Sequence, residues 1–164
     1  MAANDQKLLT FSLGEEGYGV SILKVKELIG MLDITPVPRT PEFIKGVINL
    51  RGKIIPIMDL RIKFGMTSHE YDERTCIIVI EIEIRGTQKL LGVVVDMVSE
   101  VVTISDEQIE PPPEYGSMTE HNFILGIGKI KERVVIILDI EEVFLCDEVL
   151  KMLDNNNSQL ITKE

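Results

Sequence analysis

Apolar residues in this chain fall in short runs separated by turn residues, a pattern that predicts strands along most of its length. Leu8 to Leu13 reads as a first strand, turning through Gly14-Glu15-Glu16-Gly17 into Tyr18 to Ser21. Ile22 to Val25 is too short to assign by period. Glu27 to Ile34 leads into Pro36, Pro38 and Pro41, whose missing N–H groups mark an edge or a crossing connection. Val47 to Leu50 and Ile54 to Leu60 form a hairpin across Arg51-Gly52, because a tight turn needs positive φ and glycine adopts it without steric cost. A short helical turn is predicted over Arg61 to Met66 and a polar loop over Thr67 to Arg74. Thr75 to Ile84, rich in Ile and Val, turns at Arg85-Gly86-Thr87 into Leu90 to Val95. Glu141 to Leu153 carries Val143, Phe144, Val149, Leu150 and Leu153 at helical spacing and predicts a helix that packs back on the body, with a flexible tail over 154–164.

The pattern occurs twice. Shifting the chain by 80 residues sets Phe43 to Phe64 against Phe123 to Phe144, with Phe43/Phe123, Ile44/Ile124, Gly46/Gly126, Ile57/Ile137, Asp59/Asp139 and Phe64/Phe144 identical. A fainter echo matches Gly19-Val20, Val25, Glu27 and Leu28-Ile29 to Gly92-Val93, Val98, Glu100 and Val101-Val102. Two pseudo-repeats follow, about 8–66 and 75–144, each of about five short strands. A unit that small suits a closed barrel, which removes exposed edges. The fold class expected is therefore mainly β: two small five-stranded barrels packed together, with a short C-terminal helix. The copies differ at the turn. Asn49-Leu50-Arg51-Gly52 in the first is Lys129-Ile130-Lys131-Glu132 in the second, a less turn-like sequence, so the strands serve the fold and the Arg51 tip is free to serve recognition.

Composition removes several function classes. The formal net charge of −10 argues against a nucleic-acid backbone as partner, which requires clustered Lys and Arg. Two cysteines, Cys76 and Cys146, stand far apart without CxxC spacing and read as reduced thiols of a cytoplasmic protein. The start, MAANDQKLL, lacks the pattern of a secretory signal, and no apolar run approaches the roughly 18 residues of a membrane span.

Catalytic constellations are equally sparse. His69 and His121 lie in polar stretches without metal-ligand spacing, no Ser sits in a GxSxG turn, and Gly14, Gly17 and Gly19 lack the Lys-Ser/Thr of a phosphate loop. No metal site, cofactor or enzymatic activity is expected. Asp59 and Asp139 recur at one place in both repeats, which favours carboxylates that accept backbone N–H bonds where a strand ends. Val25, Gly46 and Gly52 read either as core and turn residues or as the lining of a groove between the barrels, where a partner helix would lie with Arg51 fixing its register. A rival reading is a small-molecule-binding or hydrolytic barrel using Asp59, Glu27 or the histidines.

Four segments, YGVSILKVKELIG, TPEFIKGVINLRGKIIPIMDLRIKFG, LLGVVVDMVSEVV and LGIGKIKERVVIILDIEEV, together resemble the chemotaxis coupling family CheW over roughly Leu8 to Leu153. The resemblance implies a single CheW-like domain over 1–153 with two SH3-like barrels, and room for the coupling module alone. It also implies a scaffold that couples the cytoplasmic tips of methyl-accepting chemoreceptors to the histidine kinase CheA, whose regulatory domain is itself CheW-like. Such a protein is cytoplasmic and recruited to membrane-associated receptor arrays without inserting into the membrane. The receptor-facing residues implied are Val25, Glu27, Gly46, Arg51 and Gly52. A second contact that builds arrays with the kinase is implied for Ile109, Glu110 and Tyr115, although Glu110 stands where some relatives carry a basic residue. A coupling paralogue in another chemosensory pathway carries the same features.

Overall fold

The computed structural model describes residues 5–67, 70–112 and 123–144. Eleven strands run in chain order: β1 (Asp5–Leu13), β2 (Glu16–Ser21), β3 (Val25–Gly30), β4 (Ile44–Leu50), β5 (Lys53–Asp59), β6 (Cys76–Ile84), β7 (Thr87–Val95), β8 (Met97–Ser105), β9 (Ile109–Glu110), β10 (Ile124–Ile130) and β11 (Arg133–Leu138). Helices α1 (Leu60–Lys63) and α2 (Ile140–Phe144) follow β5 and β11, and 3-10 turns occupy Ile22–Lys24 and Asp106–Gln108. The stretch Ile22 to Val25, unassignable by period, is thus a 3-10 turn entering β3. Helix α1 begins one residue before the predicted turn because the Asp59 side chain caps it, accepting from the Arg61 N–H at 2.9 Å. Of the C-terminal helix expected over 141–153, Ile140–Phe144 is seen, and the remainder and the tail lie outside the described residues.

The strands form two sheets, ordered β8-β1-β2-β11-β10-β9 and β3-β6-β7-β5-β4. Each takes strands from both halves of the chain. The hairpin β1-β2 is completed by β8, β10 and β11, while β3, β4 and β5 are completed by the hairpin β6-β7. The seams are the parallel pairs β2·β11 and β5·β7, where Ile137 meets Gly19 and Ile57 meets Gly92. The repeats are therefore contiguous in sequence but exchanged in space, and neither makes a barrel from its own strands alone.

Each sheet closes on itself through the continuation of its own end strand. After β3 the chain bends so that Thr35 pairs with Val47 of β4, N–H to C=O in both directions at 2.9 Å. After β8, strand β9 pairs with β10, Glu110 opposite Ile127. Val47 spends both backbone groups on Thr35, so its cross-strand neighbour Pro56 loses nothing toward β4 by lacking an N–H. Each barrel has its own interior, Ile48, Ile55, Ile57, Ile77, Val79 and Val94 in one and Leu8, Ile104 and Ile137 in the other. A larger cluster fills the space between them, with Phe11, Met58, Leu60, Ile80, Leu138 and Phe144. Phe64 stacks on Phe123 at 5.2 Å between centroids, joining the end of one repeat to the hairpin of the other.

Candidate interaction surface

The β4–β5 turn is a tight one with φ positive at both central residues, +52° at Arg51 and +88° at Gly52. The Asn49 side chain steadies it, accepting from the Gly52 N–H at 2.8 Å. The second hairpin makes the same turn, with Lys131 and Glu132 at +50° and +66°. The expectation of a less turn-like connection there does not hold: the strand twist selects this turn even where no glycine is present. What separates the tips is chemistry. Arg51, its side chain 70% exposed, pairs through Nη2 with Glu27 Oε2, whereas the corresponding Glu100 engages Thr10 through its backbone groups.

Glu27 and Arg51 come from opposite ends of the sheet order, and closure of the barrel brings them together at its mouth. Val25 lies one bulge away on β3, opposite Ile80, and leans on the cluster between the barrels. Gly46 has a structural duty of its own. Its φ is +142°, and a Cβ there would lie 2.1 Å from the Thr35 carbonyl oxygen, so only glycine lets the closing segment cross β4. Its mate Gly126 does the same for β9, where a Cβ would lie 2.8 Å from the Glu110 carbonyl oxygen.

In the second predicted contact, Ile109 packs inward beside Leu8, Ile104 and Ile137. Glu110 stands exposed and pairs with Lys129 at 3.2 Å. Tyr115 lies outside the described residues, as do His69, His121 and Cys146.

The carboxylates of the rival reading are committed elsewhere. Asp59 is buried, capping α1 and accepting from the Tyr71 hydroxyl at 2.8 Å; burial first, and then this bond, push the Tyr71 phenol well above its usual range. Asp139 plays the corresponding part before α2, accepting from the Glu142 N–H at 3.4 Å. Burial also raises the Cys76 thiol. Among the described residues no group of three His, Cys, Asp or Glu is placed to hold a metal, and no helix is long and apolar enough to cross a membrane.

Fold and surface together define a two-barrel β module with a pre-set cationic tip at the mouth of one barrel. A CheW-like domain model matches residues 7–147, and the chain belongs to the CheW family. It is 44% identical over 150 residues to the chemotaxis protein CheW of Klebsiella aerogenes, covering 92% of this chain and 87% of that one. It is also 33% identical over 127 residues to the protein FrzA of Myxococcus xanthus, covering 77% and 76%. Among solved structures, the scaffolding protein TtCheW of Thermoanaerobacter tengcongensis superposes with a TM-score of 0.76 at 39% identity, covering 88% of this chain and 96% of that one.

Proposed function

We propose that this protein is a non-catalytic adaptor that couples chemoreceptor tips to the histidine kinase CheA and helps place the kinase under receptor control. The observation that carries the reading is the Arg51–Glu27 pair. A guanidinium is held in one orientation on a rigid turn although its exposure leaves it little part in stability, typically under about 1 kcal/mol for such a pair. Recognition accounts for that investment better than folding does. Val25, Glu27, Arg51 and Gly52 supply the receptor contact, with Gly46 shaping the backbone beneath it. Glu110 offers the exposed side chain of the kinase or array contact, and Ile109 supports it from inside the barrel. Kinship to proteins named for chemotaxis, and to one described as a scaffold, supports the same reading.

Arg51→Glu tests it. The variant is expected to keep the thermal midpoint of the parent and to lose receptor-dependent control of kinase activity. Unchanged control would remove Arg51 from the contact. A coupling paralogue of another chemosensory pathway would carry the same surface, and the same variant assayed with the receptor and kinase of that pathway distinguishes the two.

A further inference from the structure

The strip that carries Val25 and Glu27 is fastened in an unusual way. From Ile22 to Gly30, through the 3-10 turn and β3, no residue is buried, although Ile22, Val25 and Ile29 lean half-covered on neighbouring clusters. Leu23 is 89% exposed. Elements with so few buried apolar contacts are the first to open locally. In place of burial the strip has its ladder with β6 and ion pairs at three of four consecutive residues. Lys24 pairs with Glu141 of α2 at 2.5 Å, Lys26 with Glu81 of β6 at 3.7 Å, and Glu27 with Arg51.

The first of these reaches furthest. Lys24 sits where the chain crosses from β2 of one barrel to β3 of the other, and Glu141 lies on the helix that follows β11 of the first barrel. The arrangement has a counterpart with reversed charges. Arg61, which occupies in α1 the place of Glu141 in α2, pairs at 2.6 Å with Asp96, where the chain crosses back from β7 to β8. A helix residue thus clamps a crossing segment in each half of the fold.

We propose that Glu141 is a positioning residue for the receptor-binding strip: acting through Lys24, it holds the entrance of β3 so that Val25 and Glu27 are presented in register with Arg51. This rests on the adaptor reading. It makes docking on one barrel depend on a carboxylate anchored on the other, and it makes that dependence sensitive to salt, since the pair is half-exposed.

The test uses the full chain and a soluble cytoplasmic fragment of a receptor from the same organism. Glu141→Gln and Glu141→Lys are expected to weaken fragment binding by about two- to fivefold and to speed amide hydrogen exchange over 22–30 and at the β6 amides that face it, with exchange in β5 and β7 unaltered. The exchanged pair, Lys24→Glu with Glu141→Lys, should restore both, which a merely structural role for α2 would not do. Raising the salt concentration should shrink the difference between parent and Glu141→Gln. Unchanged exchange and unchanged binding in both single variants, or failure of the exchanged pair to restore them, overturns the proposal. The parent protein and Arg51→Glu serve as controls: an Arg51→Glu variant that binds the fragment normally removes Arg51 from the contact, whereas a parent that does not bind it at all counts against the adaptor reading, and the exchange data alone then decide whether Glu141 tethers the strip.

Discussion

Gly46→Ala separates the two duties that Gly46 can have, closing the barrel and lining a contact. The added Cβ would stand 2.1 Å from the Thr35 oxygen, 2.7 Å from its carbonyl carbon and 2.9 Å from Pro36 Cα, all backbone atoms that no side-chain rotation can move. Relief requires the closing segment to lift, which breaks the two 2.9 Å Thr35–Val47 hydrogen bonds at about 1 kcal/mol each. Holding alanine at φ +142° costs about 1–3 kcal/mol more. The sum is about 3–5 kcal/mol, a large share of the roughly 5–15 kcal/mol available to a domain. In urea unfolding, with a slope of about 2 kcal/mol per molar, the midpoint should fall by about 2 M. Gly126→Ala should cost less, about 2 kcal/mol, because its backbone obstacle, the Glu110 carbonyl oxygen at 2.8 Å, stands further off than the Thr35 oxygen does at Gly46, its φ lies outside the left-handed region, and its other near atom, the Ile109 Cγ2 at 2.6 Å, belongs to a side chain. Gly30→Ala, with open space around it, should be neutral or stabilise slightly. A Gly46→Ala protein within about 1 kcal/mol of the parent would refute the closure argument and return Gly46 to the surface as a contact residue alone.

Three further outcomes are expected. Arg61→Ala should cost about 2 kcal/mol in denaturant unfolding, because it strands the Asp96 carboxylate, 22% exposed and also bonded to the Gly14 N–H, whereas Arg51→Ala should cost less than about 1. Glu132→Gly should raise stability by about 1 kcal/mol, since it removes a side chain from a φ of +66°; a loss would mean that the turn needs Glu132. Stability should fall at alkaline pH. Burial and bonds to Glu16 and Asp59 raise the folded-state phenols of Tyr18 and Tyr71 above the unfolded value near 10, so their contribution is intact below about pH 10 and lost as pH climbs through the folded values. Tyr71→Phe should flatten that decline, and an unchanged slope from pH 9 to 11.5 would contradict the assignment.

The hairpins were legible in the sequence because they are local: alternating runs around Arg51-Gly52 and Arg85-Gly86 name both the strands and the turn. The duplicated Gly46/Gly126 and Asp59/Asp139 were legible as shared structural needs, although their cause was not. Asp59 proved to be a helix cap, as its place at the end of a strand suggested. The exchange of strands between repeats left no local mark. It depends on the parallel pairs β2·β11 and β5·β7, whose partners are far apart in sequence and whose apolar runs would suit either barrel. The Glu27–Arg51 pair leaves no local mark for the same reason. Two charged residues 24 positions apart become neighbours only when the sheet closes. Composition is a poor guide to the turn at Lys131-Glu132, because two non-glycine residues adopt positive φ where the flanking strands demand it.

Coupling is measured most directly as autophosphorylation of CheA in receptor-containing membranes with and without this protein, all three components from one organism. A large rise is expected that requires receptor, kinase and this protein together, falls on addition of attractant and disappears with Arg51→Glu. Kinase activity that is the same with and without the protein, while an established coupling protein raises it in the same membranes, would rule out a coupling role with these partners.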